Sequence, residues 1–540
     1  MDCPDDQSVP RSRCVHGDAI ALNQAGGTDE VLSTPQAATG TDLPVRDRLT
    51  RGGYYYFLGS VAGVVGSFTI SVILARSLGS AGLGIYALFA VLGVVFVPLL
   101  SLSLPSATTK FISELRNKQP RRLADLLSTT LVLLIIAGAF GSGIMFTLGA
   151  SAAGDLYGEP RLVPMIQILS VFVSANLIAL FAGSILQGLE EFDWVNLISV
   201  SNLLVNVVLV LLLVPAFGVV GAATAAAAAA VGQAGLSTLM ASRSLRQRNL
   251  VWSWKYSKEE ARTLLTFTAP LNLASILARA SVLVQNSLVV LYLGFVDLGL
   301  LRVSGVFFSA ILFLPKVALA PLLPILSHVA SSRTPERERE ILTQLVKFSL
   351  LLATPIAAAL ILALPSVIPV VFGGEFLPSI PFATVMIIVA IFTFSNAMLG
   401  EHYLLVKGRT RQSLMVTIYS VATGLGTVVL LLPKIGAIAL PVASFVSEST
   451  LFAILIAWAS HRNEVALRPL VPTLTYMSIA VLATLALLQV GTLENSVFLA
   501  LSAGGVLLLV GLFAIMDKTD RDLLTNALRR GVARLREGAI

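Results

Sequence analysis

From Tyr54 to Met516 the chain is a succession of apolar runs parted by short segments that carry glycine, proline or basic residues. Most runs reach the length of about 20 residues that a helix needs to cross the hydrocarbon core of a bilayer. In that setting a helix satisfies its own backbone donors and acceptors. The alternating strands of about 10 residues that mark a membrane barrel are absent. The pattern predicts an all-α integral membrane fold with about 14 transmembrane helices. The first six spans are Tyr54 to Leu78, Gly84 to Ser106, Ala124 to Gly149, Val163 to Leu186, Trp194 to Val214 and Gly218 to Ala241. The next six are Leu264 to Leu291, Leu298 to Ile325, Thr343 to Val371, Ile380 to Val406, Gln412 to Leu432 and Gly436 to Trp458. An extra pair follows, Leu470 to Val490 and Ser496 to Met516.

A repeat is written into these runs. Leu78-Gly79 and Leu83-Gly84 return as Leu293-Gly294 and Leu298-Gly299, each 215 residues later. At the same offset Pro120 and Arg122 match Pro335 and Arg337, and Tyr157-Gly158 matches Phe372-Gly373. Val214-Pro215 with Gly218 then pairs with Leu432-Pro433 and Gly436 at offset 218. Six spans separate the copies, and an even number leaves both pointing the same way. The expectation is two parallel six-helix lobes, 51–242 and 263–460, joined by a cytoplasmic linker at 243–262 and followed by the helix pair within 461–516. Parallel repeats around a central cavity are a transporter architecture.

Composition agrees with a membrane protein. Of 540 residues 56% are hydrophobic and 12% charged, and the mean hydropathy is +0.86. The net charge of +7 would fit nucleic acid if the basic residues clustered on one soluble face. Instead, with the N-terminus inside, 31 of the 37 Lys and Arg fall in tails and alternate loops. That bias places both termini in the cytoplasm and the chain in the cytoplasmic membrane. Residues 1–50 are polar and lack an apolar core, so they read as a disordered cytoplasmic tail and not as a signal peptide. Residues 517–540 place Leu524, Leu528, Val532 and Leu535 on one face and arginines on the other, an amphipathic helix suited to anionic headgroups. Cys3 and Cys14 both sit in the tail, and four dispersed histidines form no ligand pattern, so neither a metal nor a cofactor is expected.

The residues that demand an explanation are charges inside apolar runs: Arg279 and Lys316 in the seventh and eighth spans and Glu448 in the twelfth. Facing lipid, each would cost about 2.5 to 3.5 kcal/mol. They are expected to face a cavity or one another, as a structural ion pair or as an anion site with Glu448 as counter-charge. Arg76 and Arg302, at outer span ends, are secondary candidates for the same site or for snorkelling to headgroups. Asn176, Asn202, Asn206, Asn272, Gln285 and Asn286 add polar surface, expected mostly to hydrogen-bond between helices.

The segment ILARSLGSAGLGIYAL (73–88), LQGLEEF (186–192), VFGGEF (371–376) and VPAFGVVGAA (214–223) resemble the polysaccharide transport family. That family falls within the superfamily of multidrug and oligosaccharidyl-lipid exporters. The resemblance implies a flippase that carries a polyprenyl-diphosphate-linked oligosaccharide across the membrane by alternating access. Its partners would be that lipid-linked glycan, membrane lipids and enzymes of polysaccharide biosynthesis. The last two spans would border a groove for the lipid tail. A cation-coupled drug antiporter would want a buried carboxylate in the first lobe, and no acid interrupts the apolar body of its six spans. A glycan polymerase or ligase would want sizeable outer loops, which the spacing leaves no room for.

Overall fold

The computed structural model describes residues 45–248, 256–319, 335–397, 399, 410–490 and 496–511. The tail 1–44, the amphipathic segment 517–540 and the side chain of Lys316 lie outside the described set.

Among the described residues the fold is helical throughout. The part of the chain expected to form the first lobe contains α1 (Val45–Ser101), α2 (Leu104–Leu115), α3 (Pro120–Ile144), α4 (Ala150–Tyr157), α5 (Leu162–Gly188) and α6 (Phe192–Gln247), with a π-turn, Met145–Gly149, between α3 and α4. That expected to form the second contains α7 (Lys258–Leu293), α8 (Phe295–Leu319), α9 (Pro335–Val371), α10 (Ile380–Asn396), α11 (Thr410–Ile435) and α12 (Ala439–His461). The pair α13 (Val471–Val490) and α14 (Ser496–Val510) packs on α9. There the Tyr476 hydroxyl donates to the Leu507 carbonyl at 2.7 Å.

Among the described residues ten stretches are long and apolar enough to cross a bilayer. Three of them, Val61–Ser101, Phe192–Gln247 and Arg411–His461, run for 41, 56 and 51 residues. At about 1.5 Å per residue each greatly exceeds the ~30 Å core. All three break at a glycine with positive φ: Gly79, Gly218 and Gly436. Beside them stands one shorter apolar helix, Phe498–Val510.

Span ends differ from the sequence reading in one place that matters. The second span stops at Ser101, not Ser106, because Leu102 and Ser103 are left-handed (φ 51° and 54°) and Pro105 sits in the first turn of a separate helix, α2. A left-handed pair ends the ladder, and proline is favoured at the start of the next helix. The basic segment after the second span is therefore helical from Lys110 to Leu115 and again from Pro120.

The repeat is visible in the backbone. Among the described residues the positive-φ glycines are Gly79, Gly158, Gly218, Gly294, Gly373 and Gly436. They form three pairs at the offsets 215, 215 and 218 noted above. The lobes also meet at equivalent points. A methyl added to Gly84 would lie 1.8 Å from the Phe295 carbonyl oxygen, and one added to Gly299 would lie 2.0 Å from that of Ser80. The two Leu-Gly motifs thus face each other across the pseudo-twofold axis, main chain against main chain. Only glycine permits that approach.

Small residues pack the first lobe. Ala175 and Ala179 of α5 lie against Ala230 and Ala234 of α6, and the run Ala222 to Ala230 is buried at nearly every position. Between membrane helices, where apolar burial gives no drive, such faces gain by close contact.

Candidate functional site

Among the described residues the lobes touch along two regions, one at the end opposite the basic loops and one running from mid-depth to the basic end. At the first, Arg76 of α1 reaches across to α9, where Nε donates to the Val371 carbonyl at 2.8 Å and Nη2 donates to that of Val370. These are two of the last carbonyls of α9, which have no donors in their own helix. A guanidinium there also meets the negative end of the helix dipole. Beside it the Glu375 carboxylate approaches the Gly79 turn, and Phe372 packs edge-on against Phe68 at 5.9 Å. The Tyr157 hydroxyl and Ser287 Oγ are hydrogen-bonded at 2.7 Å. Two of the segments that carry the family resemblance, 73–88 and 371–376, are therefore in contact with each other.

The second region is a seam between α7 and the first lobe, antiparallel in register. From the basic end, the Ser257 amide donates to Thr129 Oγ1 at 3.0 Å, and Arg122 Nε pairs with Glu260 Oε1 at 2.7 Å. Next, Lys110 Nζ lies 4.3 Å from the centre of the Phe267 ring, and Ser103 Oγ donates to Asn272 Oδ1 at 3.4 Å. The innermost contact is made by Arg279, whose Nη1 donates to the Val94 carbonyl and whose Nε donates to Ser275 Oγ, both at 3.2 Å. Arg279 lies 14 residues from the end of α7 at Leu293, about 21 Å along the axis. It is half-buried.

The other candidates sit apart. Glu448 on α12 accepts from Asn396 Nδ2 of α10 at 2.7 Å through Oε2, and its main-chain carbonyl accepts from the same amide at 2.8 Å. Arg302 on α8 lies within electrostatic range of the Tyr86 hydroxyl. Lys316 is on α8, with its side chain outside the described set. Arg279 and Arg76 are thus brought to the boundary between lobes, but at different depths.

The amide residues depart from expectation. Asn176 and Asn286 donate to the carbonyl four residues back in their own helices, and Gln285 donates to Ser281. Only Asn272 of the set has an interhelical partner among the described residues, because the i−4 carbonyl is the nearest acceptor in a dry helix. Asn396, Ser275 and the Val94 carbonyl were not picked out by sequence reasoning. One signal was present: Pro98 in α1, four residues beyond Val94, supplies no N–H to that carbonyl.

The LQGLEEF segment is a structural clamp at the basic end of the first lobe. Gly188 permits contact with Ile112, the left-handed Glu190 pairs with Arg116 at 2.6 Å, and Glu191 pairs with Arg248 at 3.1 Å while accepting from Ser244. Its counterpart around Gly408, and the Glu401-His402 pair, lie outside the described residues.

The fold is similar to solved transporters. The lipid II flippase MurJ, in an inward closed conformation, aligns with a TM-score of 0.69 at 14% identity, over 86% of this chain and 98% of that one. A multidrug resistance MATE family transporter of the MOP superfamily, outward-facing, aligns at 0.58 with 16% identity, over 77% and 96%. A MOP superfamily transporter from Pyrococcus furiosus aligns at 0.56 with 14% identity over the same shares. No curated protein sequence matches the chain. The profile of the family described as polysaccharide biosynthesis protein matches residues 49–329, more than half the chain, and the chain belongs to that family.

Proposed function

We propose that the protein is a flippase that moves a polyprenyl-diphosphate-linked oligosaccharide across the cytoplasmic membrane by alternating access of its two lobes. The observation that carries this reading is Arg279: a permanent cation held at mid-depth on the boundary between the lobes, hydrogen-bonded among the described residues only to neutral oxygens. A diphosphate crossing the membrane needs fixed positive charge to replace its hydration. A guanidinium binds phosphate in a bidentate manner. Lys316, Arg302 and Arg76 are proposed to extend the cationic path, and Glu448 to provide the counter-charge. Membership in the polysaccharide biosynthesis family and the MurJ-like fold support the same reading. Basic loops in the cytoplasm, with both termini inside, give the orientation.

One observation favours a second reading. The Glu448 carboxylate held by Asn396 is a protonatable group within the bundle, and the MATE-like fold suits a cation-coupled drug antiporter. Transport in proteoliposomes decides between them. Fluorescent polyprenyl-diphosphate oligosaccharide should change leaflet with the wild type and at least tenfold more slowly with Arg279→Ala at equal protein. Proton-driven ethidium uptake, with no movement of the lipid-linked sugar, would overturn the flippase reading.

A further inference from the structure

Arg279 does more in this structure than present a charge. Its guanidinium belongs to α7 of the second lobe, while its acceptor, the Val94 carbonyl, belongs to α1 of the first. That carbonyl is available for a local reason: its helical donor would be the N–H of residue 98, and residue 98 is proline. A carbonyl without its helical donor needs a donor from elsewhere. Arg279 supplies the missing hydrogen bond from the other lobe, and Ser275, one turn away on α7, holds Nε so that Nη1 reaches it.

This contact is also the terminal one of the α7 seam. The four pairings nearer the basic end, Ser257 with Thr129, Glu260 with Arg122, Phe267 with Lys110 and Asn272 with Ser103, follow one another down to the loops. Arg279 with Val94 stands at the mid-depth end. Among the described residues it is the one member of the seam whose cation has no anion as partner at that depth, so an arriving phosphate competes only with a neutral carbonyl and a hydroxyl. A phosphate oxygen is the stronger acceptor for a guanidinium.

We propose that Pro98, Val94 and Arg279 form a latch between the lobes which the substrate's diphosphate opens. In the empty carrier the freed Val94 carbonyl holds Arg279, and with it the middle of α7, against the first lobe. A diphosphate that engages Arg279 takes the guanidinium off the carbonyl, and the α7 seam then parts from its inner end. Pro98 is thereby a positioning residue, since it acts only through the carbonyl it frees. The latch links occupancy to movement: the carrier that has no anion to release the latch does not rock. That the releasing anion is a diphosphate rests on the function proposed above.

The test measures distances across the lobes in full-length protein in lipid nanodiscs, with Cys3 and Cys14 replaced by serine. Spin labels go on Lys118→Cys and Arg411→Cys, both exposed and at the basic end, one on each lobe. Without ligand, Pro98→Ala gives Val94 a main-chain donor, and Arg279→Ala removes the donor from the other lobe. Each should raise the ratio of displaced to parent distances by about tenfold, the low end for a hydrogen bond to a charged group. Geranylgeranyl diphosphate should produce the same shift in the parent, and uncharged geranylgeraniol should not. Arg279→Lys keeps the charge but cannot bridge Ser275 and Val94 together. It should start displaced and still bind the diphosphate, an outcome that a purely structural role for Arg279 does not give.

Ligand-free distributions of Pro98→Ala, Arg279→Ala and Arg279→Lys that all overlay the parent would overturn the latch. If Pro98→Ala does not insert, the two Arg279 variants decide alone. A ligand-free shift in the variants, combined with a parent that responds to ethidium and not to the diphosphate, would uphold the latch while refuting the flippase reading.

Discussion

The contact of the two Leu-Gly motifs makes a quantitative demand on one atom. Alanine at Gly84 would place its methyl 1.8 Å from the Phe295 carbonyl oxygen and 3.0 Å from the Gly299 nitrogen. Carbon and oxygen approach no closer than about 3.3 Å without repulsion, so the two helix starts must separate by roughly 1.5 Å. The obstructing atoms are backbone, and no side-chain rotation relieves them. Overpacking of this kind costs about 1 to 3 kcal/mol. The whole cost falls on the state in which this end is shut, because the two motifs belong to different lobes and part when that end opens. Gly84→Ala should then shift the population toward opening at the end opposite the basic loops by about tenfold or more. Gly299→Ala should do the same, since its methyl would meet Ser80 at 2.0 Å. Gly143→Ala, with nothing within 4 Å, is the control. Spin labels on Asp155→Cys and Lys434→Cys, again without Cys3 and Cys14, report the opening as a longer distance. A distribution for Gly84→Ala that matches the Gly143→Ala control, in protein that inserts normally, would refute the close contact and with it the sealed end.

The same end can be loosened without adding volume. Arg76→Ala removes two charged hydrogen bonds to the end of α9. Because the arginine is exposed, its contribution is discounted to about 1 kcal/mol, and the same label pair should show a several-fold shift in the same direction, smaller than that of Gly84→Ala. No shift would mean that the cap contributes nothing. The proposed orientation predicts that cysteines at Gly158 and Gly373 react in intact cells with a membrane-impermeant maleimide, while one at Arg248 does not. Labelling at Arg248 would reverse the topology.

Helices and repeat were legible in the sequence because both rest on local physics. Apolar length specifies a crossing, and a glycine in the left-handed region has no cheap substitute, so Gly79, Gly158 and Gly218 and their counterparts mark turns that the eye can align. The cross-lobe contacts were not legible. Arg76 meets Val371 from 295 residues away, and hydrophobic periodicity tells which face of a helix is wet without naming what that face meets. Arg279 was singled out by its cost in lipid, but its partner is a main-chain oxygen, to which side-chain patterns are blind. Pro98 was the readable clue, since every proline within a helix identifies a carbonyl four residues earlier that must find another donor. The boundary at Ser101 was missed for the opposite reason: Leu102 and Ser103 adopt left-handed geometry that neither residue type advertises.

The two lobes are alike in their backbone turns and unlike in their charges, and the two facts have different causes. Glycine pairs at equivalent positions give both lobes the same turns and let them meet main chain to main chain at the end opposite the basic loops. In the proposed diphosphate carrier, charge placed symmetrically would be a disadvantage, because a second mid-depth arginine in the first lobe would hold the diphosphate as firmly as the first. In this chain the position equivalent to Arg279 at offset 215 is Val64, and that equivalent to Arg76 is Leu291. One lobe therefore offers the cation and the other offers carbonyls, whether Val94 to Arg279 from the first lobe or Val370 and Val371 to Arg76 from the second. A carbonyl yields to phosphate where a carboxylate would not. The contacts of Arg76 and Arg279, each built from one cation and neutral oxygens, can hold in the empty carrier and still be broken by an anionic ligand, unlike the Arg122–Glu260 ion pair at the basic end of the seam.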